Sequence, residues 1–149
     1  MLSKLLGGMF KKKSAAAIAE MAKHVNRDTV QAAVYGCFFI ASVDGNLEES
    51  EIKKTEKLIN NEPLCKGFGA ELHNLIEAAE TSYTDGGPRI IRQRAKKELE
   101  DLAHDKVSAD IVMNIICTVA DEGGIGEEEK AGLLLCAQWM NLSPKDYGL

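Results

Sequence analysis

Two short stretches of the chain gather oxygen donors around a glycine turn. The first is Val43-Asp44-Gly45-Asn46-Leu47-Glu48-Glu49-Ser50-Glu51; the second is Ala120-Asp121-Glu122-Gly123-Gly124-Ile125-Gly126-Glu127-Glu128-Glu129. Asp44, Asn46 and Glu51 in the first, with Asp121, Glu122 and Glu129 in the second, are hard donors. Such donors suit calcium or magnesium rather than a metal that prefers sulfur. The spacing is not that of an EF-hand. With Asp44 as position one, position six is Glu49 rather than glycine, and position twelve is Thr55 rather than glutamate. A purely local explanation competes with the cation site. Glu48 or Gly126 can cap the helix that follows, and Glu51 and Glu129 stand three residues on, where a glutamate reaches back to the cap amide. The first-turn acids Glu49, Glu127 and Glu128 also complement the helix dipole. Paired carboxylates can do acid–base chemistry, but no nucleophile accompanies them, and a non-enzymatic role is expected.

Each acidic turn lies between a buried helix and an acidic helix start, which reads as a duplicated helix–turn–helix unit. A gapless alignment pairs Gly45 with Gly123, Leu47 with Ile125 and Glu51 with Glu129; a one-residue insertion instead pairs Asp44 with Asp121. Two such halves packed about a pseudo-two-fold axis would bring both turns to one surface. Apolar spacing predicts a central helix over Asp28 to Val43 and another over Glu49 to Asn60, with Ile52 and Ile59 inward. A third covers about Gly67 to Ala79. Thr84-Asp85-Gly86-Gly87-Pro88 is a turn cluster, and a helix starting near Pro88 turns Ile91, Ala95, Leu99 and Leu102 inward. Ser108 opens the next helix, with Ile111, Val112, Ile115, Ile116 and Val119 on its inner stripe. The last long helix runs from about Glu127 to Met140, with Ala131, Leu134, Leu135 and Trp139 offered to the core, and Ser143-Pro144 starts a short closing turn. No segment alternates with period two. The expected fold is all-α: a compact bundle of about seven helices built from two related helix–turn–helix halves.

Composition narrows the class. With 149 residues, 45% of them apolar and only three prolines, the chain can build one helical core. A net charge of −5 does not suggest nucleic-acid binding. Cys37, Cys65, Cys117 and Cys136 form no Cys-x-x-Cys pair, and His24, His73 and His104 are isolated, so no zinc motif is present. Reduced, buried cysteines of a cytosolic protein are the expectation. No apolar run reaches the roughly 18 residues of a membrane span, and Gly7, Gly8 and Lys11 to Lys13 interrupt any signal-peptide core. Residues 1–13 are basic. Leu2, Leu5, Leu6, Met9 and Phe10 fall at helical spacing among Lys4 and Lys11 to Lys13, which describes either an in-plane membrane helix or a frayed tail. A second basic cluster, with Arg89, Arg92 and Lys96 as its core, is either a solvated helix surface or a docking patch for an acidic partner.

The paired turns, Val43-Asp44-Gly45 through Glu51 and Ala120-Asp121-Glu122-Gly123 through Glu129-Lys130, resemble those of the TerB tellurite-resistance family. The chain end Leu142-Ser143-Pro144-Lys145-Asp146-Tyr147-Gly148-Leu149 is similar to that family's ending, and the likeness covers nearly the whole chain. It implies a flexible or amphipathic segment over residues 1–13 and a TerB-like helical domain over residues 14–149. It implies a cytoplasmic protein, peripheral to the inner membrane through partners. Those partners would be other tellurite-resistance proteins, including a membrane protein of the same operon. It also implies a divalent-metal site, calcium or magnesium, at the acidic turns. Asp44, Glu51 and Glu129 match the family pattern. The second turn departs from the usual Asp-Gly, leaving Asp121 and Glu122 both open for the Asp role, and Gly126 replaces an acid common there. The alternative is a charged-surface adaptor whose acidic turns serve only as helix caps. Tellurite chemistry directs attention to thiols as well, and Cys65, beside Lys66, is the best candidate for a reactive one.

Overall fold

The computed structural model describes residues 15–45 and 47–149. Leu2, Leu5, Leu6, Met9 and Phe10, expected as a membrane-facing stripe, and Asn46, expected as a ligand, lie outside the described residues. Those residues form seven α-helices: α1 (Ala15–Ala22), α2 (Arg27–Ser42), α3 (Glu49–Asn60), α4 (Pro63–Lys66), α5 (Gly69–Glu100), α6 (Lys106–Gly123) and α7 (Glu127–Trp139). A 3-10 turn, Pro144–Tyr147, closes the chain. Among the described residues there is no strand, so the protein is an all-α bundle of the expected size.

Two long apolar helices, α2 and α6, take the centre. Twelve of the sixteen residues of α2 are buried, which a helix tolerates only when neighbours surround it. Those neighbours are α3, α5, α6 and α7. α6 buries Ile111, Val112, Ile115, Ile116 and Val119, the stripe expected from spacing. Local chemistry fixes where both helices begin. Before α2, the Thr29 amide donates to Asn26 Oδ1 at 3.0 Å and the Asn26 amide donates to Thr29 Oγ1 at 3.3 Å, a reciprocal cap. Before α6 the cap is Asp105, whose Oδ1 accepts from the Ser108 amide at 3.2 Å. The helix therefore starts at Lys106 rather than Ser108, because Ser108 is the residue that satisfies the cap.

The helix expected to end near Ala79 runs on, and the expected turn at Thr84–Pro88 is a one-residue kink inside α5. Gly87 has φ 74° and ψ −169°, outside helical geometry, and Pro88 restarts the helix at the position where its missing amide does no harm. Beyond the kink, Ile91, Ala95, Leu99 and Leu102 face inward as expected.

The inner face of α7 differs from expectation. Gly132, Leu133, Cys136, Ala137 and then Met140 are buried, whereas Ala131 is exposed, Leu134 is 38% exposed, and Leu135 and Trp139 are half-buried. Close packing sets this register. A Cβ on Gly132 would lie 2.9 Å from Ile40 Cδ1 and 3.0 Å from Val43 Cγ1, so only a glycine lets α7 approach α2 this closely. The chain end is clamped onto α6: the Tyr147 hydroxyl donates to Asp110 Oδ1, and Asn114 Nδ2 donates to the Asp110 carbonyl at 2.9 Å.

Candidate functional site

The bundle brings parts of the two acidic turns together. A pocket of ≈ 270 Å³ opens where α2 and α6 end and α3 and α7 begin. Asp44, Glu51, Lys54 and Glu129 line it with Gly123 and Gly124, over an apolar floor that includes Ile40, Leu58, Ile116 and Val119. Glu51 and Glu129 are equivalent in the gapless alignment, as are Ala41 and Val119, and all four line this pocket. That is the arrangement expected from two halves related by a pseudo-two-fold axis. Asp44 is exposed at the mouth, while Glu51 and Glu129 are half-buried.

The two turns are not copies of one another. The left-handed glycines are Gly45 (φ 84°) and Gly124 (φ 86°), not Gly45 and Gly123. In the gapless register Ser42, where α2 ends, pairs with Ala120, but α6 runs on to Gly123; the left-handed glycine comes one residue later, and the following helices start in step, at Glu49 and Glu127. The place occupied by Asp44 in the first half is therefore occupied by Gly123 in the second. Asp121 and Glu122 sit in the last turn of α6, exposed, and neither lines the pocket with Glu129. Glu122 instead faces a separate depression beside Asn61, Glu62 and Thr118. The aliphatic pair diverges as well: Leu47 is buried, whereas Ile125 is 41% exposed.

Both Glu51 and Glu129 stand in the first turn of their helices, but a side-chain capping bond does not account for their repeated spacing. Glu48 and Gly126 are the cap residues, as expected, but neither cap carries a side-chain hydrogen bond. Among the described residues, neither glutamate closes the reach-back bond that Thr29 makes before α2. Gly126 also leaves room for its neighbour, since a Cβ there would lie 3.2 Å from Glu129 Oε2.

Tyr83 holds the first turn in place from α5. The Leu47 amide donates to the Tyr83 hydroxyl at 3.0 Å, a contact between distant parts of the chain that no local pattern announces. Tyr83→Phe leaves this amide without an acceptor and is expected to cost about 1–3 kcal/mol in urea unfolding. Faster hydrogen exchange at Leu47 would accompany the loss; unchanged exchange there would show the contact to be dispensable.

A second carboxylate pair joins α3 to α5. Glu80 shares a hydrogen bond with Glu56 and, with partial burial and like charge, pushes the Glu56 carboxyl from 4.5 up to about 7. A pKa raised on folding means the folded state holds the extra proton. The stabilisation is therefore fully present below pH 4.5 and is lost as pH rises through about 7. Both side chains are half-exposed, so solvent screening keeps the effect under about 1 kcal/mol. Glu56→Gln is expected to flatten the slope of stability between those pH values. An identical slope in the variant would assign it to other groups.

The cysteines do not support thiol chemistry. Cys65, the best candidate for a reactive thiol, is fully buried, and burial pushes it up to about 12. Lys66, the next residue, is exposed and gives the thiol no help, because Cys65 is buried in the core where the thiolate is disfavoured. Burial raises Cys37, Cys117 and Cys136 too. All four are free.

The basic cluster divides. Arg89 and Arg92 border a cleft between α2, α5 and α7, whereas Lys96 stands exposed one turn further along α5 and does not line it. Comparison of the chain with family models, with curated proteins and with solved structures finds no match.

Proposed function

We propose that this chain is a non-enzymatic divalent-cation-binding and protein-interaction module of a TerB-like tellurite-resistance system, in which Asp44, Glu51 and Glu129 supply the oxygen donors. The observation that carries the reading is that both halves of the repeat deliver a carboxylate to one pocket. The donor set fits a hard cation, calcium or magnesium, by its chemistry. Among the described residues no three His, Cys, Asp or Glu side chains already stand close enough together to hold an ion. Binding then requires the carboxylates to rotate inward, and the expected affinity falls at the weak end, ~10⁻⁴–10⁻³ M. The proposed setting is cytoplasmic, with partners from the same gene set, one of them a membrane protein. No helix among the described residues is long and apolar enough to cross a membrane.

Lys54, which lines the same pocket, favours a second reading: an adaptor that presents charged faces and takes no metal. Calorimetric titration with calcium and magnesium, followed residue by residue by NMR, separates the two. Saturable binding with shifts confined to the pocket supports the cation module. No saturation near millimolar metal in a folded protein would leave the adaptor.

A further inference from the structure

The wall that carries the acidic pocket has a second side. Asp44 faces the pocket, while Val43 and Gly45 line a cleft of ≈ 490 Å³ between α2, the second segment of α5 and α7. Phe39, Ala131 and Leu135 give it apolar walls, and Arg89 and Arg92 stand at its rim. Its size is within the roughly 300–1,000 Å³ typical of ligand pockets.

The rim is electrostatically unbalanced. Among the described residues neither Arg89 nor Arg92 makes a salt bridge, in a chain whose net charge is −5. The Arg92 guanidinium instead lies 6.0 Å from the ring centroid of Trp139, a cation–π distance that holds the charge beside the apolar surface. Trp139 packs in turn on Phe39, with ring centroids 5.2 Å apart. Half-buried Leu135 and Trp139, one turn apart, share one side of α7. A guanidinium fork matches a carboxylate in geometry as well as in charge, and an aromatic and arginine pair bordering an apolar hollow has the composition of an interface hot spot.

We propose that this cleft docks an acidic segment of a partner protein. A bulky apolar side chain of that segment enters between Phe39 and Leu135, and carboxylates flanking it pair with Arg89 and Arg92. The proposal deepens the interaction half of the reading above and is independent of its cation half. Glu128, which also lines the cleft, disfavours a segment rich in carboxylates throughout and selects one with acids on the Arg89 and Arg92 side.

The test uses the full chain and a fluorescein-labelled helical peptide with leucines at i, i+3 and i+4 flanked by glutamates. Controls replace its glutamates by lysine or its leucines by alanine. Saturable anisotropy is expected for the parent peptide in the presence of a chelator, with weakening of at least about tenfold in Arg89→Glu/Arg92→Glu. Ala131→Glu, at an exposed position, should weaken binding similarly by placing charge in the cleft, with its thermal midpoint confirming the fold. No binding by the parent peptide at millimolar protein would overturn the proposal. So would equal binding of the lysine peptide, or unchanged binding by the folded Arg89→Glu/Arg92→Glu protein. A concentration-dependent dimer abolished by Arg89→Glu/Arg92→Glu would also overturn it, by assigning the cleft to a second copy of the chain. Because a chelator is present throughout, failure here leaves the metal titration intact, and failure of that titration leaves this result intact.

Discussion

Phe38→Ala is expected to lower the unfolding free energy by about 3–5 kcal/mol, a large part of the 5–15 kcal/mol that holds a typical domain together. Phe38 has no exposed surface and sits in the middle of α2, the helix that packs on α3, α5, α6 and α7. Truncation removes the ring's transfer free energy and leaves a cavity that four helices on different sides cannot close together. Urea unfolding of wild type and variant measures it, and Phe38→Leu should lose less because more of the volume stays filled. Leu134→Ala provides the contrast. It removes a side chain that is 38% exposed, and a change within about 0.5 kcal/mol is expected. A large loss at Leu134 would mean that α7 presents its other face, and a small loss at Phe38 would mean that α2 is not at the centre of the core.

Glu51→Gln/Glu129→Gln is expected to abolish saturable calcium or magnesium binding at millimolar concentrations. Each change removes one charge and keeps nearly the same shape, so the pocket is preserved while its attraction for a cation falls. Affinity in oxygen-ligand sites follows ligand charge, and each single variant should weaken binding by about tenfold. Lys54→Met should act in the opposite direction. Loss of an ammonium near the pocket mouth removes on the order of 1 kcal/mol of repulsion toward the ion, about fivefold in affinity. Asp121→Asn and Glu122→Gln, outside the pocket, should leave the titration unchanged. Loss of the two first-turn charges costs at most about 1 kcal/mol each in helix-dipole stabilisation, so the double variant stays folded, and its melting point checks that unfolding is not a rival explanation. Retained binding in the double variant would remove Glu51 and Glu129 from the site. A response to Glu122→Gln would move attention to the depression beside Glu62.

The helix ends were readable because their causes are local. Asp44-Gly45, Gly87-Pro88 and Gly123-Gly124 break helices through residues within the break itself, and α3 occupies the span expected from its flanking signals, Glu49–Asn60. Short elements without an apolar stripe were not readable: α4 has four residues and buries only Leu64 and Cys65. The candidate site was legible in part. Glu51 and Glu129 stand out because the repeat places them at equivalent positions. The role of Asp121 and Glu122 was not legible, since two alignments fit the second turn equally well until Gly124, rather than Gly123, takes the left-handed conformation. The Tyr83 contact with Leu47 and the Glu56–Glu80 pair join residues distant in sequence, and neither has a spacing that announces it.

By itself the sequence determined that this protein is helical, where glycine and proline break its helices, and that each half carries an acidic turn after a buried helix; the end expected near Ala79 was not among those breaks. Those features follow from periodicity, capping and glycine or proline chemistry, which act over a few residues. Tertiary structure alone decided which side of α7 is inside. Leu133, Leu134 and Leu135 step about 100° apart around the axis, so apolarity favours no single face. The choice fell to Gly132, whose missing side chain admits Ile40 and Val43. That close contact between α2 and α7 turns Glu129 toward Asp44 and Glu51 on one side of the wall. On the other side it leaves Ala131 and Leu135 lining a cleft rimmed by Arg89 and Arg92.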